Sequence, residues 1–480
     1  MCGIVGVFGT IHAAYLASIG LFAEQHRGQE SCGMAVSDGR VIRLRKRMGL
    51  VKEVFSPEVL ATLPGAIAIG HVRYPTKGSA TEFNSQPHLV DTLAGPCYAL
   101  ASNGDIVNYQ EIRSELEKED VYFKSDNDGE LLLKFIAYQM ERSGHTRTPG
   151  TGQGAGSKEQ GGSIIDAIRL LMKTVKGAYS AVLSTRNELY MFRDPYSIRP
   201  MVWGKRADGS VVVASESCAL DTMDVSARHE VPAAGIIRVN NDGIMVIEND
   251  PNLYRDLSAC KHCIFEHIYF SRPDSHHFGE NIYTVRERIG AKLASYDDGL
   301  EIDSVVPVPD SSNFIALGYA QAKGIPVSMG LIRNHYVGRT FIKPEQTIRD
   351  ESVKQKFNPL PNFFDGKKII LVDDSIVRGT TIKKIVRLLK NAGAREIHLR
   401  IGSPQVCNSC YYGIDTPTRQ ELVANRLTLQ EIAEQSGVDS LMHIDIEDLR
   451  NCVSEPGQYC YACFNGDYPI PLHCAPGLMP

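Results

Sequence analysis

At 480 residues the chain is long enough for two or three domains, and an apolar fraction of 43% is ordinary for a globular protein. A formal charge of −5 argues against a nucleic-acid surface. No apolar run is long enough to span a bilayer and no charged-then-apolar leader with a cleavage site is present, so the expected compartment is the cytoplasm, with no membrane partner.

The first expected element is a strand through Ile4, Val5, Val7 and Phe8 in the run CGIVGVFG, with Cys2 at its start. Once Met1 is removed, Cys2 carries a thiol and a free α-amino group on one residue. The amine, with a pKa of roughly 8, can take the thiol proton directly or through water, and the thiolate is a nucleophile. Taken alone, Cys2 reads better as an ordinary cysteine near the end of a buried strand; three later segments reverse that reading. Arg73 in GHVRYPTKG is expected in a loop, where its guanidinium fork suits an α-carboxylate. ASNGDIVNY is expected to turn tightly at Asn103 and Gly104, and a side-chain amide beside an unobstructed backbone N–H makes an oxyanion hole. Asp128 in SDNDGELLLKF precedes an apolar run and is placed to hold a substrate ammonium. Helices are expected after Ala13, near Glu130 and near Ile164, among strands and hairpins.

These segments, CGIVG, HRGQES, GHVRYPT, SNGD and the acidic DGE, resemble the N-terminal-nucleophile class II glutamine amidotransferases. The resemblance implies a four-layer α/β/β/α sandwich glutaminase. In it Cys2 attacks the γ-carboxamide of glutamine, Arg73 and Asp128 hold its α-carboxylate and α-amine, and Asn103 with Gly104 stabilises the tetrahedral oxyanion. Two departures stand out: Asp126 to Glu130 replaces a Ser-Asp-Thr-Glu-like run, and Ser197 stands where relatives generally have glycine. The Gly-, Ser-, Thr- and Pro-rich stretch 144–162 reads as an exposed insertion, because KGAYSAVL and ASESCALD beyond it still match the glutaminase half. The boundary between halves is expected around 240–252, giving a glutaminase domain over 2–240.

In the second half, VVPVPDSS reads as a strand and a loop, followed by a helix through Ile315 and Leu317 that stops at Gly324. From Arg333 to Leu360 the chain is polar and cation-rich, is poorly held by a core, and reads as a closing lid. KKIILVDDSIVRGTT is a buried strand through Ile369, Ile370, Leu371 and Val372 that runs into two acids and a loop with Gly379. A helix then opens at Thr380 and Thr381, with Ile382, Ile385, Val386 and Leu389 at helical spacing; Gly393 ends it and EIHLRI is the next strand. Such a β-loop-α-β unit presents backbone amides and the positive end of a helix dipole at the carboxyl edge of a parallel sheet, which suits a phosphate. With a phosphate there, Asp373 and Asp374 lie where ribose hydroxyls would be and can hold Mg²⁺ directly or through water.

The apolar strand, the paired aspartates and the ending Arg378, Gly379, Thr380, Thr381 together resemble the phosphoribosyl diphosphate motif of type I phosphoribosyltransferases. The resemblance implies a parallel-sheet domain, here 253–445, mixing with the first half to give an α/β and α+β chain. It makes Asp310, Ser311 and Ser312 the pyrophosphate loop, with Ser311 near Mg²⁺. It has Lys356 of the lid touching pyrophosphate on closure, and Arg339 with Thr340 shaping the catalytic loop. Closure would keep water from the ribose anomeric carbon as pyrophosphate leaves.

Twelve cysteines in a chain expected in a reducing compartment are poorly explained by disulfides. Cys260 and Cys263, Cys407 and Cys410, and Cys460 and Cys463 have the two-residue spacing of metal ligands, which allows structural zinc or an iron–sulfur cluster and does not choose four ligands from six. Glutaminase and transferase halves in this order resemble the phosphoribosyl diphosphate amidotransferases, a family in which one subgroup binds a [4Fe–4S] cluster through cysteines matching Cys263, Cys410, Cys460 and Cys463. The resemblance implies a structural cluster tying the transferase domain to a tail over 446–480, with Cys260, Cys407, Cys452 and Cys474 as bystanders. It implies that glutamine, phosphoribosyl diphosphate and water give 5-phosphoribosylamine, pyrophosphate and glutamate, ammonia passing through a transient apolar channel. It further implies a homo-oligomer, dimer or tetramer, and inhibition by purine nucleotides. The rival functions are another enzyme with the same glutaminase and a non-catalytic phosphoribosyl diphosphate sensor.

Overall fold

In the first half, the central strands such as Gly3–Phe8, Ile67–Arg73 and Gly177–Ser184 are buried on both faces, so they read as nearly continuous apolar segments, whereas edge strands such as Ile42–Met48 are partly exposed. The structure, a computed structural model, describes residues 1–74, 81–92, 95–143, 163–247, 260–336 and 355–472. Thirteen strands make two sheets: β1 Gly3–Phe8, β2 Ser31–Ser37, β3 Ile42–Met48, β4 Ile67–Arg73, β5 His88–Thr92, β6 Gly95–Ile106, β7 Gly177–Ser184, β8 Leu189–Arg193, β9 Val202–Lys205, β10 Val211–Ala214, β11 Ala227–Glu230, β12 Ile236–Asn240 and β13 Gly243–Ile247. One sheet has the order β11-β9-β10-β1-β4-β2-β3 and the other β13-β12-β8-β7-β6-β5. Between them lies a core that includes Ile4, Phe8, Ile69, Ala101, Val182, Val213 and Ile237. Helix Ala13–Ala23 packs on the outer face of the first sheet with Val5, Val7 and Val72. Helices Tyr109–Lys118, Asp128–Arg142 and Ile164–Thr174 cover the outer face of the second. These layers are the α/β/β/α sandwich expected from the resemblance, and Tyr109–Lys118 is a helix the sequence reading did not anticipate.

Two local expectations are corrected. Arg73 is the last residue of β4, not a loop residue, and it is buried. Asn103 and Gly104 lie inside the long strand β6, opposite Ser180 and Tyr179 of β7, not at a tight turn. An Asn-Gly pair favours a turn locally, but the ladder with β7, continuous from Ala99 to Ile106, overrides that preference.

Residues 263–410 and 416–469 form a second contact unit, whereas 411–415 and 470–472 group with the first. The second unit holds a four-stranded parallel sheet in the order Ser304–Pro307, Lys368–Asp373, Glu396–Ile401, Ser440–His443. Helix Thr380–Asn391 buries Ile382, Ile385, Val386 and Leu389 against Ile369, Leu371 and Leu399. Helix Asn313–Lys323 ends at Gly324 with φ +68°, a left-handed cap. The stretch read as a lid is framed by strands Leu331–Arg333 and Phe357–Pro359, which pair antiparallel. The insertion 144–162, Arg339 and Cys474 lie outside the described residues. Among the described residues no helix is long and apolar enough to cross a membrane.

Two candidate active sites

Cys2 leads into β1, and its backbone N–H donates to Asn103 Oδ1 at 3.2 Å. Its Sγ lies 3.8 Å from the Tyr74 carbonyl oxygen, next to Arg73. The other end of the Asn103 amide, Nδ2, is buried and meets no acceptor among the described residues. A buried donor costs about 1–3 kcal/mol when left unsatisfied. Three backbone N–H groups follow along one edge of β6. Ser102 N donates to Gln86 Oε1 at 2.7 Å and Ile106 N to Asp128 Oδ2 at 2.9 Å. Gly104 sits between them, and because side chains and amides alternate along a strand, its N–H faces the same edge. A Cβ at Gly104 would lie 1.8 Å from the Ala178 carbonyl oxygen, so only glycine fits.

Buried charges surround this corner. Arg73 Nη1 contacts Glu30 Oε2 at 2.6 Å, with both side chains almost wholly buried. Burial raises the Glu30 carboxyl and the Arg73 guanidinium partly offsets it. His71, two residues back on β4, is fully buried, and burial together with Arg73 pushes it down to about 3, so it is neutral. Arg27 Nε donates to the Cys2 carbonyl at 2.9 Å and its guanidinium pairs with Glu216, which also meets His26 Nε2 at 2.7 Å. Glu24 accepts the Glu216 N–H at 2.7 Å, and burial holds its carboxyl well above the usual range. Glu30, Arg27, Glu216 and Gln86 were not singled out from the sequence. Arg27 and Glu30 lie within HRGQES, but their carboxylate and guanidinium partners, Glu216 and Arg73, come from far along the chain.

In the second unit, strands Ser304–Pro307 and Lys368–Asp373 are parallel neighbours, so the loops at their carboxyl ends emerge side by side. Ser311 Oγ donates to Asp374 Oδ1 at 2.6 Å and Ser312 Oγ to Asp373 Oδ1 at 3.3 Å. Both aspartates are buried, and burial raises both carboxyls, that of Asp373 also through its neighbour's charge. Gly379, with φ +76°, caps helix Thr380–Asn391, whose first-turn N–H groups point back at the loop. Asp310 pairs with Arg333 at 2.7 Å and Arg378 with Glu421 at 3.5 Å. The Lys356 ammonium stands 5.1 Å from the centre of the Phe357 ring.

In the second unit Cys463 lies within electrostatic range of three other thiols. Burial and the neighbouring Cys460, Cys263 and Cys410 push the Cys463 thiol well up. Cys407 N and Asn408 N both donate to the Cys463 carbonyl at 3.0 Å, which draws the two segments together. Among the described residues no three His, Cys, Asp or Glu side chains form a group that could hold a metal ion.

Residues 61–147 match the model of the glutamine amidotransferase domain, and residues 279–401 that of the phosphoribosyl transferase domain. Amidophosphoribosyltransferase 2, chloroplastic, of Arabidopsis thaliana is 44% identical over 471 residues, 98% of this chain and 79% of that protein. The chain belongs to the amidophosphoribosyltransferase family. The amidophosphoribosyltransferase of Methanothermobacter thermautotrophicus is 40% identical over 475 residues, covering 98% of this chain and 95% of its own. The glutamine phosphoribosylpyrophosphate amidotransferase from B. subtilis, solved with ADP and GMP, matches with a TM-score of 0.85 and 36% identity over 98% of each chain. As a family member the chain is a glutamine-dependent glycosyltransferase, with a glutaminase sandwich followed by a parallel-sheet transferase.

Proposed function

We propose that the chain splits glutamine at Cys2 and uses the ammonia to displace pyrophosphate from phosphoribosyl diphosphate, giving 5-phosphoribosylamine and glutamate. The observation that carries this reading is the pairing of Cys2 with an Asn103 amide whose donor end is buried and unmet. After Met1 removal the Cys2 amine takes the thiol proton, and Sγ attacks the γ-carboxamide carbon. Asn103 Nδ2 and the Gly104 N–H receive the negative charge on the carbonyl oxygen. Arg73, oriented by Glu30, holds the substrate carboxylate, and Asp128 its ammonium. Ammonia leaves with the proton, water clears the thioester, and glutamate departs.

At the second site, the N–H groups of Thr380 and Thr381, with Gly379 and Arg378, take the 5-phosphate of the sugar, and Asp373 and Asp374 orient the ribose hydroxyls. Asp310, Ser311 and Ser312 receive pyrophosphate, with Lys356 and Arg339 closing over it. Two adjacent buried carboxylates whose charged forms are disfavoured fit a divalent cation; Ser311, Asp373 and Asp374 would hold Mg²⁺, which would neutralise charge on the departing pyrophosphate. Cys263, Cys410, Cys460 and Cys463 are soft donors of the type that holds a [4Fe–4S] cluster, and the family resemblance, not a preformed metal group, selects these four for a structural cluster. The domain assignments 2–240, 253–445 and 446–480 follow this division of labour. Purine nucleotides as inhibitors, assembly as a homo-oligomer and a cytoplasmic location belong to the same reading; a reducing compartment suits a free catalytic thiol.

Replacing Cys2 by Ala tests the first half: glutamine-dependent phosphoribosylamine formation should vanish while the ammonia-dependent reaction persists. A Cys2→Ala protein that still consumes glutamine at an unchanged rate would refute it. Asp373→Asn with Asp374→Asn should abolish both reactions while leaving Cys2 reactive toward alkylation.

A further inference from the structure

We infer that Tyr411–Asp415, a short strap from far along the sequence, positions the oxyanion hole of the glutaminase. The inference rests on the reading of Asn103 and Gly104 given above. The strap groups with the first contact unit although its flanking residues, Cys410 and Thr416, belong to the second. Its base is closed by a hydrogen bond from Cys410 N to Thr416 Oγ1 at 2.6 Å.

Two contacts anchor the strap on the glutaminase, at Arg199 and Gly104, and a third ties it to Ile470 of the tail. Arg199, fully buried, donates through Nε to the Tyr412 carbonyl at 2.7 Å and again through Nη2. The carbonyl of Arg199 in turn accepts from Ser180 Oγ at 2.9 Å, and Ser180 is the β7 residue opposite Asn103. The Tyr412 hydroxyl donates to the Ile470 carbonyl at 2.9 Å and accepts the Ile470 N–H at 3.1 Å. Gly413 then lies against Gly104 itself: a Cβ at Gly413 would stand 3.0, 3.1 and 3.2 Å from the Gly104 carbonyl carbon, carbonyl oxygen and Cα. Its φ of +106° is open to glycine and strained for other residues. Gly104 is therefore gripped on two sides, by the Ala178 carbonyl and by Gly413.

An oxyanion donor works by being fixed before charge develops, and a sub-ångström shift of its N–H weakens it in the transition state more than in the ground state. Gly413 has no side chain with which to hold glutamine, so it acts through Gly104 as a positioning residue.

The test is Gly413→Ala in the full chain. Glutamine-dependent kcat should fall at least about tenfold, with KM for glutamine within about twofold of the parent. Ammonia-dependent product formation and the rate of Cys2 alkylation by iodoacetamide should be unchanged. An unchanged glutamine kcat, an equal fall in both activities, or a raised KM with kcat intact would overturn the inference. If Gly413→Ala does not fold, Tyr412→Phe, which loses both bonds to Ile470, should give a severalfold fall in kcat with the same split, and no fall would overturn it. Asn103→Asp run in parallel separates the layers: normal turnover there removes the oxyanion reading and the strap with it, whereas a dead Asn103→Asp beside a normal Gly413→Ala removes the strap alone.

Discussion

Asn103→Asp is the substitution that isolates one atom of the glutaminase. The two side chains have nearly the same shape, so Oδ1 still accepts from Cys2 N across the 3.2 Å contact. What changes is the other end: the buried donor Nδ2 becomes an acceptor oxygen. Loss of one oxyanion-hole donor costs about 2.7–4 kcal/mol in the transition state, a fall of roughly 10² to 10³ in kcat. Asn103 is fully buried, so a carboxylate there also repels the developing oxyanion, and the factor is a lower bound. The assay is glutamate release with glutamine and phosphoribosyl diphosphate, beside ammonia-dependent pyrophosphate release as the control. The expected result is near-complete loss of the first and full retention of the second, with Cys2 still open to iodoacetamide. If more than about a tenth of the glutamine kcat survives, or both activities fall together, Asn103 is not the oxyanion donor and the site has been misread.

The buried pair of Arg73 and Glu30, 2.6 Å apart, implies that Glu30→Gln removes the carboxylate opposite a buried guanidinium and costs up to about 3–5 kcal/mol, with a raised KM for glutamine; urea denaturation and a glutamine titration check it, and an unchanged KM would separate Arg73 from substrate binding. Ser197 adopts φ +55°, so Ser197→Gly should relieve about 1–2 kcal/mol of left-handed strain against about 0.5–1 kcal/mol of added unfolded-state entropy; a small rise in the thermal midpoint is expected, and a fall would show that the hydroxyl matters more than the backbone. His71 and His443, each buried and neutral with pKa values pushed down to about 3 and about 4, titrate near about 6.5 when unfolded. The unfolded chain then binds more protons, so stability that is complete above about pH 6.5 is lost as pH falls toward about 4, at up to about 1.4 kcal/mol per pH unit per ring. Urea midpoints at pH 7.5 and 5.5 should differ accordingly, His443→Asn should flatten part of the slope, and a flat profile for the parent would contradict the burial of both rings.

Much of the chemistry was legible without coordinates because it is encoded locally. Cys2 at a strand start, the apolar strand running into Asp373 and Asp374, and the glycine that caps helix Thr380–Asn391 are each set by neighbours within a few residues. Helical spacing likewise announced the helix through Ile382, Ile385, Val386 and Leu389, and the helices expected near Glu130 and near Ile164 are Asp128–Arg142 and Ile164–Thr174. Residues whose role depends on partners a hundred or more positions away gave no such signal. Asn103 and Gly104 looked like a turn because local preference favours one, and only pairing with β7 draws them straight and aims the amide at Cys2. Arg73 looked like a loop cation until Glu30 supplied the charge that lets it be buried. Tyr412 and Gly413 lie in the run CYYGIDTPT, which shares in the family resemblance but names no partner; their place beside Gly104 is decided by Arg199 and Ile470. Local sequence thus specifies which groups can do chemistry, while the long-range packing and ion pairing that fix them within an ångström of one another exist only in the folded chain.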